Sequence, residues 1–269
     1  MESNYRLFMK TAFFMLAMTV VSMSAKAQSF EGEYGFFDHL GAGVSLGTDG
    51  IGIDVASPVT DWAALRAGIS FMPGLKFTKS ISINDPDLYE NVDIEAKLNI
   101  FDFKVLADIY PIKTSSFHIT AGFFVGSENA INVTNSTPMI KDQQKYSKVG
   151  IVLGNYRVTT DQYGQINADV KVNSFKPYIG IGFGRAIPKK NRVSVSCDLG
   201  VKFWGKPGLL VKTTKPKGIT SFDETLSPHK FTYDELGPND NQDFKDVIEI
   251  IDKIAVYPVL NIRVSGRIF

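Results

Sequence analysis

The 269-residue chain has a single cysteine, Cys197, so no internal disulfide can staple it even in an oxidising compartment. It has three histidines, His39, His118 and His229, and none stands at a metal-ligand spacing from a carboxylate or a second histidine. No metal site and no cofactor are therefore expected. Excess charge is also missing: 29 basic residues face 28 acidic ones, which gives no electrostatic reason for a nucleic-acid partner. Long hydrophobic runs are missing too. The one at Thr11 to Met23 falls short of the ~20 residues that a membrane-spanning helix needs, and no later segment approaches that length. Gly41-Ala42-Gly43 resembles part of a dinucleotide-binding loop, but no helix follows it.

What is present begins with an export pattern. Arg6 and Lys10 precede the short apolar run, and the small-residue triplet Ala25-Lys26-Ala27 follows it, as in a cleavable signal peptide. The expectation is a signal peptide over 1–27 and one β-barrel domain over 28–269. No cysteine follows the cleavage point, so a lipoprotein anchor is not expected.

Period-two alternation then recurs in eight segments, with apolar residues on one parity and small or polar ones on the other. Leu40 to Leu46 and Ile51 to Val55 flank an Asp49-Gly50 hairpin signal. Ala63 to Phe71, Phe101 to Ile109, Phe117 to Val125, Tyr178 to Gly184, Val193 to Phe203 and Leu260 to Ile268 complete the set. Links near Pro58 to Asp61, Pro111 to Ser116 and Pro188 to Arg192 are short, and each opens with a proline that ends strand pairing. The alternate links are long, at about 74–91, 127–174 and 205–255, except for the tight turn at Asp49-Gly50. Short turns on one side and long loops on the other are the pattern of bacterial outer-membrane barrels. The fold expected is all-β: an eight-stranded antiparallel up-and-down transmembrane barrel with long outer loops and one short loop helix.

A soluble sandwich would show similar parity. The export pattern, strands of about ten residues, and Trp62, Phe71, Tyr110, Phe117 and Trp204 at strand ends, where interfacial girdles belong, all favour the membrane barrel. Ten strands would require Tyr156 to Thr160 and Gln165 to Val172 to cross as a hairpin about Asp161 to Gly164, and Asn173-Ser174 leaves little room for the second turn this needs. That hairpin is expected above the membrane instead. The fourth strand is expected to continue upward through Val92 to Leu98, with a bulge at Ile100-Phe101. In the last loop, Phe244, Val247, Ile248, Ile251 and Ile254 form one face of a helix over about 241–254.

The inward parity carries His39, Asp54, Arg66, Asp102, Lys104, Asp108, His118, Asp198, Lys202, Arg263 and Arg267, with hydroxyls from Ser45, Ser70, Thr120, Ser194 and Ser196. Asp54, Arg66, Asp102, Lys104, Asp108, Asp198, Lys202, Arg263 and Arg267 are the candidate polar network. Eight strands leave a bore that side chains just fill, so these charges are expected to pair with one another and with trapped water.

The architecture and the terminal Phe269 resemble the small outer-membrane barrels of the OmpA, OmpX and OmpW type, especially their relatives in Bacteroidetes. The resemblance implies residence in the outer membrane, contact with its lipid, and a last strand, Leu260 to Phe269, read by the barrel assembly machinery. Phe269 is the assembly signal in that reading, although it falls out of phase with Val264 and Ile268. Function is ranked in order. First comes an interaction platform that presents its loops to a surface ligand or envelope protein. A narrow OmpW-like conduit for small solutes is second, and a lipid-modifying enzyme third. No catalytic residue is assigned.

Overall fold

The computed structural model describes residues 35–82, 91–112, 114–137, 150–153, 155–160, 164–189, 192–216, 227–231, 233–235, 249 and 255–268. The signal peptide expected at 1–27, the loop helix expected at 241–254 (apart from Glu249) and Phe269 lie outside the described residues.

In chain order the strands are β1 (Gly41–Gly47), β2 (Gly50–Thr60), β3 (Ala63–Phe71), β4 (Leu75–Ser82), β5 (Asn91–Leu98), β6 (Phe101–Ile109), β7 (Phe117–Gly126), β8 (Asn129–Asn135), β9 (Gly150–Leu153), β10 (Tyr156–Thr159), β11 (Asn167–Lys171), β12 (Phe175–Phe183), β13 (Val193–Phe203), β14 (Gly208–Pro216), β15 (Ser227–Phe231) and β16 (Val256–Arg267). The eight with clean alternation close into an antiparallel up-and-down barrel in the order β1, β2, β3, β6, β7, β12, β13, β16 and back to β1. Every barrel strand meets its sequence neighbour, and closure leaves no unpaired edge. The β2–β3, β6–β7 and β12–β13 links lie at one end. The Thr48-Asp49 turn and the three long connections lie at the other, where Thr48 Oγ1 donates to Pro258 O (3.0 Å) and ties that turn to β16.

The long connections fold into a second sheet, ordered β4, β5, β8, β11, β14, β10, β9, with β15 also paired to β14. Its first five strands repeat the order of the barrel strands from which they rise: β4 continues β3, β5 leads into β6, β8 continues β7, β11 leads into β12 and β14 continues β13. More than half the barrel wall is thus extended upward, while β1, β2 and β16 stop at the rim. The sequence reading anticipated the rise through Val92 to Leu98, which is β5, and extended segments at Tyr156 to Thr160 and Gln165 to Val172, where β10 and β11 lie; the other segments it left as loops.

The hairpin expected from Tyr156 to Val172 does not form. β10 pairs with β9 and β14, whereas β11 lies between β8 and β14. β14 is long enough to take β11 along Gly208 to Val211 and β10 along Thr214 to Pro216, so the two segments end up in series along one partner. Residues 161–163, where the turn was placed, lie outside the described residues.

Wall and barrel separate at one level, and the residues at the breaks turn inward. Met72, Ile100, Val172 and Trp204 occupy four of the five interruptions and pack with Ala130, on β8 just above the fifth, into one buried apolar cluster. Backbone bonds hold it level, including Met72 N to Ile100 O (2.8 Å) and Asn173 N to Trp204 O (2.8 Å). Trp204 is therefore a plug residue, 7% exposed, and not part of an outer girdle. Tyr110 also turns inward, 4% exposed, because its hydroxyl accepts the Ala186 backbone N–H at 2.8 Å. Trp62 does face outward, about half exposed. Trp204→Ala is expected to cost about 3–5 kcal/mol, the range for emptying a large aromatic site, and a denaturant midpoint measured on the folded chain against wild type checks it.

Candidate functional site

Nine charged side chains lie inside the barrel, each no more than 5% exposed: Asp54, Asp102, Asp108, Asp198, Arg66, Lys104, Lys176, Lys202 and Arg263. Burial at this level requires pairing, because an isolated charge out of water costs several kcal/mol. The structure arranges them in layers. Nearest the short-turn end, Ala56, Ala64, Tyr110, Ala186 and Ile187 form an apolar floor. Above it, Arg66 donates to Asp108 Oδ1 (2.7 Å) and Asp198 Oδ2 (3.1 Å), His118 Nε2 meets Asp198 Oδ1 (2.6 Å), and Thr120 Oγ1 donates to Asp108 Oδ1 (2.7 Å).

Beside this group, Arg263 grips both oxygens of Asp54, NH2 donating to Oδ1 (2.6 Å) and Nε to Oδ1 (2.9 Å) and Oδ2 (3.2 Å), and its NH1 donates to Ala186 O (3.0 Å). The two-point geometry is the strong form of a charged hydrogen bond. Lys104 Nζ stands 3.4 Å from Asp54 Oδ2. Two of these contacts bridge over an intervening strand and need glycine beneath them. A Cβ on Gly43 would come within 2.5 Å of the Arg263 guanidinium. One on Gly182 would come within 2.5 Å of both His118 Nε2 and Asp198 Oδ1.

The next layer is apolar and aromatic, made by Leu106, Phe124, Tyr178 and Val259. Toward the long-loop end, Asp102 receives Lys176 on one oxygen (2.6 Å) and Lys202 on the other (3.0 Å), and Lys202 also sits 4.0 Å over the Phe124 ring. The Met72–Trp204 cluster covers this layer. Between Arg66, Lys104, Tyr178 and Asn261 there is a cavity of about 10 Å³, room for the centre of roughly one water molecule.

Of the residues singled out in the sequence, Asp54, Arg66, Asp102, Lys104, Asp108, Asp198, Lys202 and Arg263 are brought together in this interior. Arg267 lies half-buried at the short-turn end of β16, where its backbone N–H donates to Arg192 O (2.9 Å). His39 sits at the same end beside Asp38 (2.9 Å). Lys176 was missed. It shares the parity of Tyr178, two residues before the point at which the alternation was taken to start, and that parity was the available signal.

Outside, every barrel strand presents exposed apolar side chains: Val44 on β1, Ile53 on β2, Leu65 on β3, Phe103 on β6, Phe123 on β7, Ile181 on β12, Leu199 on β13 and Leu260 on β16 among them. The wall above is organised the ordinary way round, with Val158, Ala168, Val170, Leu209, Val211 and Phe231 in a small core. Its polar contacts include Lys212 to Asp169 (2.7 Å) and Lys76 to Glu95 (2.8 Å). Among the described residues no cluster of histidine, cysteine and carboxylates suits a metal ion.

No family model matches the chain. No curated protein matches it either. Two solved structures, both from Acinetobacter baumannii, are similar to it. CarO has 18% identity and a TM-score of 0.44, covering 84% of this chain and 96% of its own. CarO2 has 18% identity and a TM-score of 0.46, covering 85% and 98%.

Asp102→Asn leaves Lys176 and Lys202 facing each other without their carboxylate, and should cost about 3–5 kcal/mol. Replacing the trio together (Asp102→Leu, Lys176→Met, Lys202→Met) should recover most of that loss. Denaturant midpoints for the single and triple variants, with exposed Lys76→Ala as a near-neutral reference, separate the outcomes. A triple variant no more stable than the single one would mean that the trio's shape, and not its charge balance, matters.

Proposed function

We propose that the protein is an outer-membrane β-barrel that serves as an anchored interaction platform, its working surface being the wall of strands raised at the long-loop end. One observation carries the proposal: the barrel is inverted relative to a soluble protein, with paired charges inside and apolar side chains exposed on all eight strands. Soluble monomers rarely expose contiguous apolar patches beyond a few hundred Å², and a full ring of them is what hydrocarbon would cover. The export pattern at Arg6 to Ala27 and the contrast between short turns and long connections support the same placement.

The interior speaks for an anchor more than for an OmpW-like conduit. A solute would have to part the Asp102 trio, the aromatic layer and the Arg66 network, under an apolar cap that closes the mouth. Kinship with the OmpA, OmpX and OmpW barrels and their Bacteroidetes relatives belongs to this proposal. So do its partners: membrane lipid, the assembly machinery acting on 260–269, and a surface ligand or envelope protein at the wall.

Cys197 faces outward from β13, and Thr78 is exposed on β4. In intact cells a charged, membrane-impermeant maleimide is expected to label a Thr78→Cys variant and leave native Cys197 unlabelled until detergent is added, and the purified chain should be silent in planar bilayers. Ready labelling of Cys197 in cells would remove the membrane placement. Discrete, solute-dependent conductance would replace the anchor with a channel.

A further inference from the structure

Barrel and wall meet through an irregular stretch where β7 and β12 pass into β8 and β11. Val125 pairs with Phe175 at the top of the barrel, and Asn129 pairs with Lys171 at the foot of the wall. Between them the ladder gives way to two bonds, Gly126 N to Ser174 O (3.0 Å) and Val172 N to Glu128 O (2.8 Å). A shallow, open depression lies there. Lys171, Asn173, Ser174 and Phe175 line it, with Glu128 to one side and Lys230, from β15, to the other.

The depression is amphipathic, and its two halves are stacked along the barrel axis. Phe175 is half exposed and belongs to the outer apolar ring, its ring centroid 5.4 Å from that of Phe123. Immediately above it the side chains become polar, with two ammonium groups, an amide and a hydroxyl. Glu128 does not cancel this charge firmly. Its contact with Lys171 is long, 3.7 Å, and both side chains are substantially solvated (35% and 56% exposed), which is the kind of pair a competing anion displaces. Lys230 is exposed as well.

We infer that this depression binds the exposed phosphomonoester of an anionic membrane lipid, with the acyl chains running down over Phe175 and Phe123. The inference rests on the membrane placement proposed above, which puts the upper edge of the apolar ring at the lipid–water boundary. Lys171 and Lys230 supply the charge, Asn173 and Ser174 supply hydrogen-bond donors, and the step from Ser174 to Phe175 sets the depth at which a headgroup stops. Basic pockets at this depth are suited to anionic headgroups.

The test uses the full chain in a neutral detergent, with native mass spectrometry to count retained ligand. The probes are dihexanoyl phosphatidic acid, dihexanoyl phosphatidylcholine and inorganic phosphate. Phosphatidic acid is expected to be retained at least tenfold more than either of the others, and Lys171→Gln with Lys230→Gln should abolish that excess. Lys76→Ala, on β4, should leave it intact. Equal retention of the two lipids, no effect of the double change, or an equal loss in the Lys76 variant overturns the site. Inorganic phosphate bound as well as the lipid overturns the lipid assignment in favour of a free-anion site. Failure of the membrane reading is seen separately, before any lipid is added, as a chain that stays soluble without detergent and shows no difference in gel mobility between unheated and boiled samples.

Discussion

Everything in the barrel depends on cancelling charge across strands in a space that admits almost no water. Four carboxylates and five cations share the bore. None is paired with a neighbour on its own strand; each contact crosses to another strand, as from β3 to β6 and β13 or from β16 to β2. Such pairs add little net stability compared with apolar packing of the same volume, because desolvation offsets most of the Coulomb attraction. Their effect is on specificity. A slip of one residue in any register would carry a strand's charges to the apolar outside and leave their partners unmatched within. The pairing therefore tolerates a single alignment of the eight strands, and the small residues Gly43 and Gly182 are part of that alignment because the cross-strand contacts pass directly over them.

The wall inherits its position from the barrel. Because Met72, Ile100, Val172 and Trp204 sit at interruptions of separate strands yet meet in one cluster, the inward turn of the chain at each break both closes the mouth and aims the continuing strand upward. One device thus produces both the seal and the wall. The core of the wall is modest in size, and its attachment to the barrel comes largely from these shared residues and the backbone bonds between them.

The barrel was legible because a closed sheet with opposite environments on its two faces imposes strict alternation, and alternation survives in sequence. All eight strands, the sides on which short and long connections fall, and eight of the nine singled-out polar positions follow from parity. Lys176 escaped because Phe175 and Pro177 open β12 on the outward face before the clearer glycine–isoleucine alternation begins. The wall was less legible for a different reason. β11 is buried on both faces, with Ala168 and Val170 on one and Asp169 on the other, so it lacks the amphipathic signature. Its neighbours β8 and β14 are also far away in sequence, and local pattern carries no trace of them; the nearer β10 therefore looked like its hairpin partner. Tyr110 and Trp204 were read outward because aromatics at strand ends are ambiguous until the breaks in the wall are known.

The matching order of the two sheets has a kinetic consequence. β5, β8, β11 and β14 come from three separate connections, and pairing them in a free chain would require closing several long loops at once, an entropic cost that slows sheets of high contact order. Once β6, β7, β12 and β13 are side by side, those ends are already neighbours and the remaining search shrinks to a few residues per strand. The barrel thus acts as a template, and the wall can zip upward from the rim after it closes.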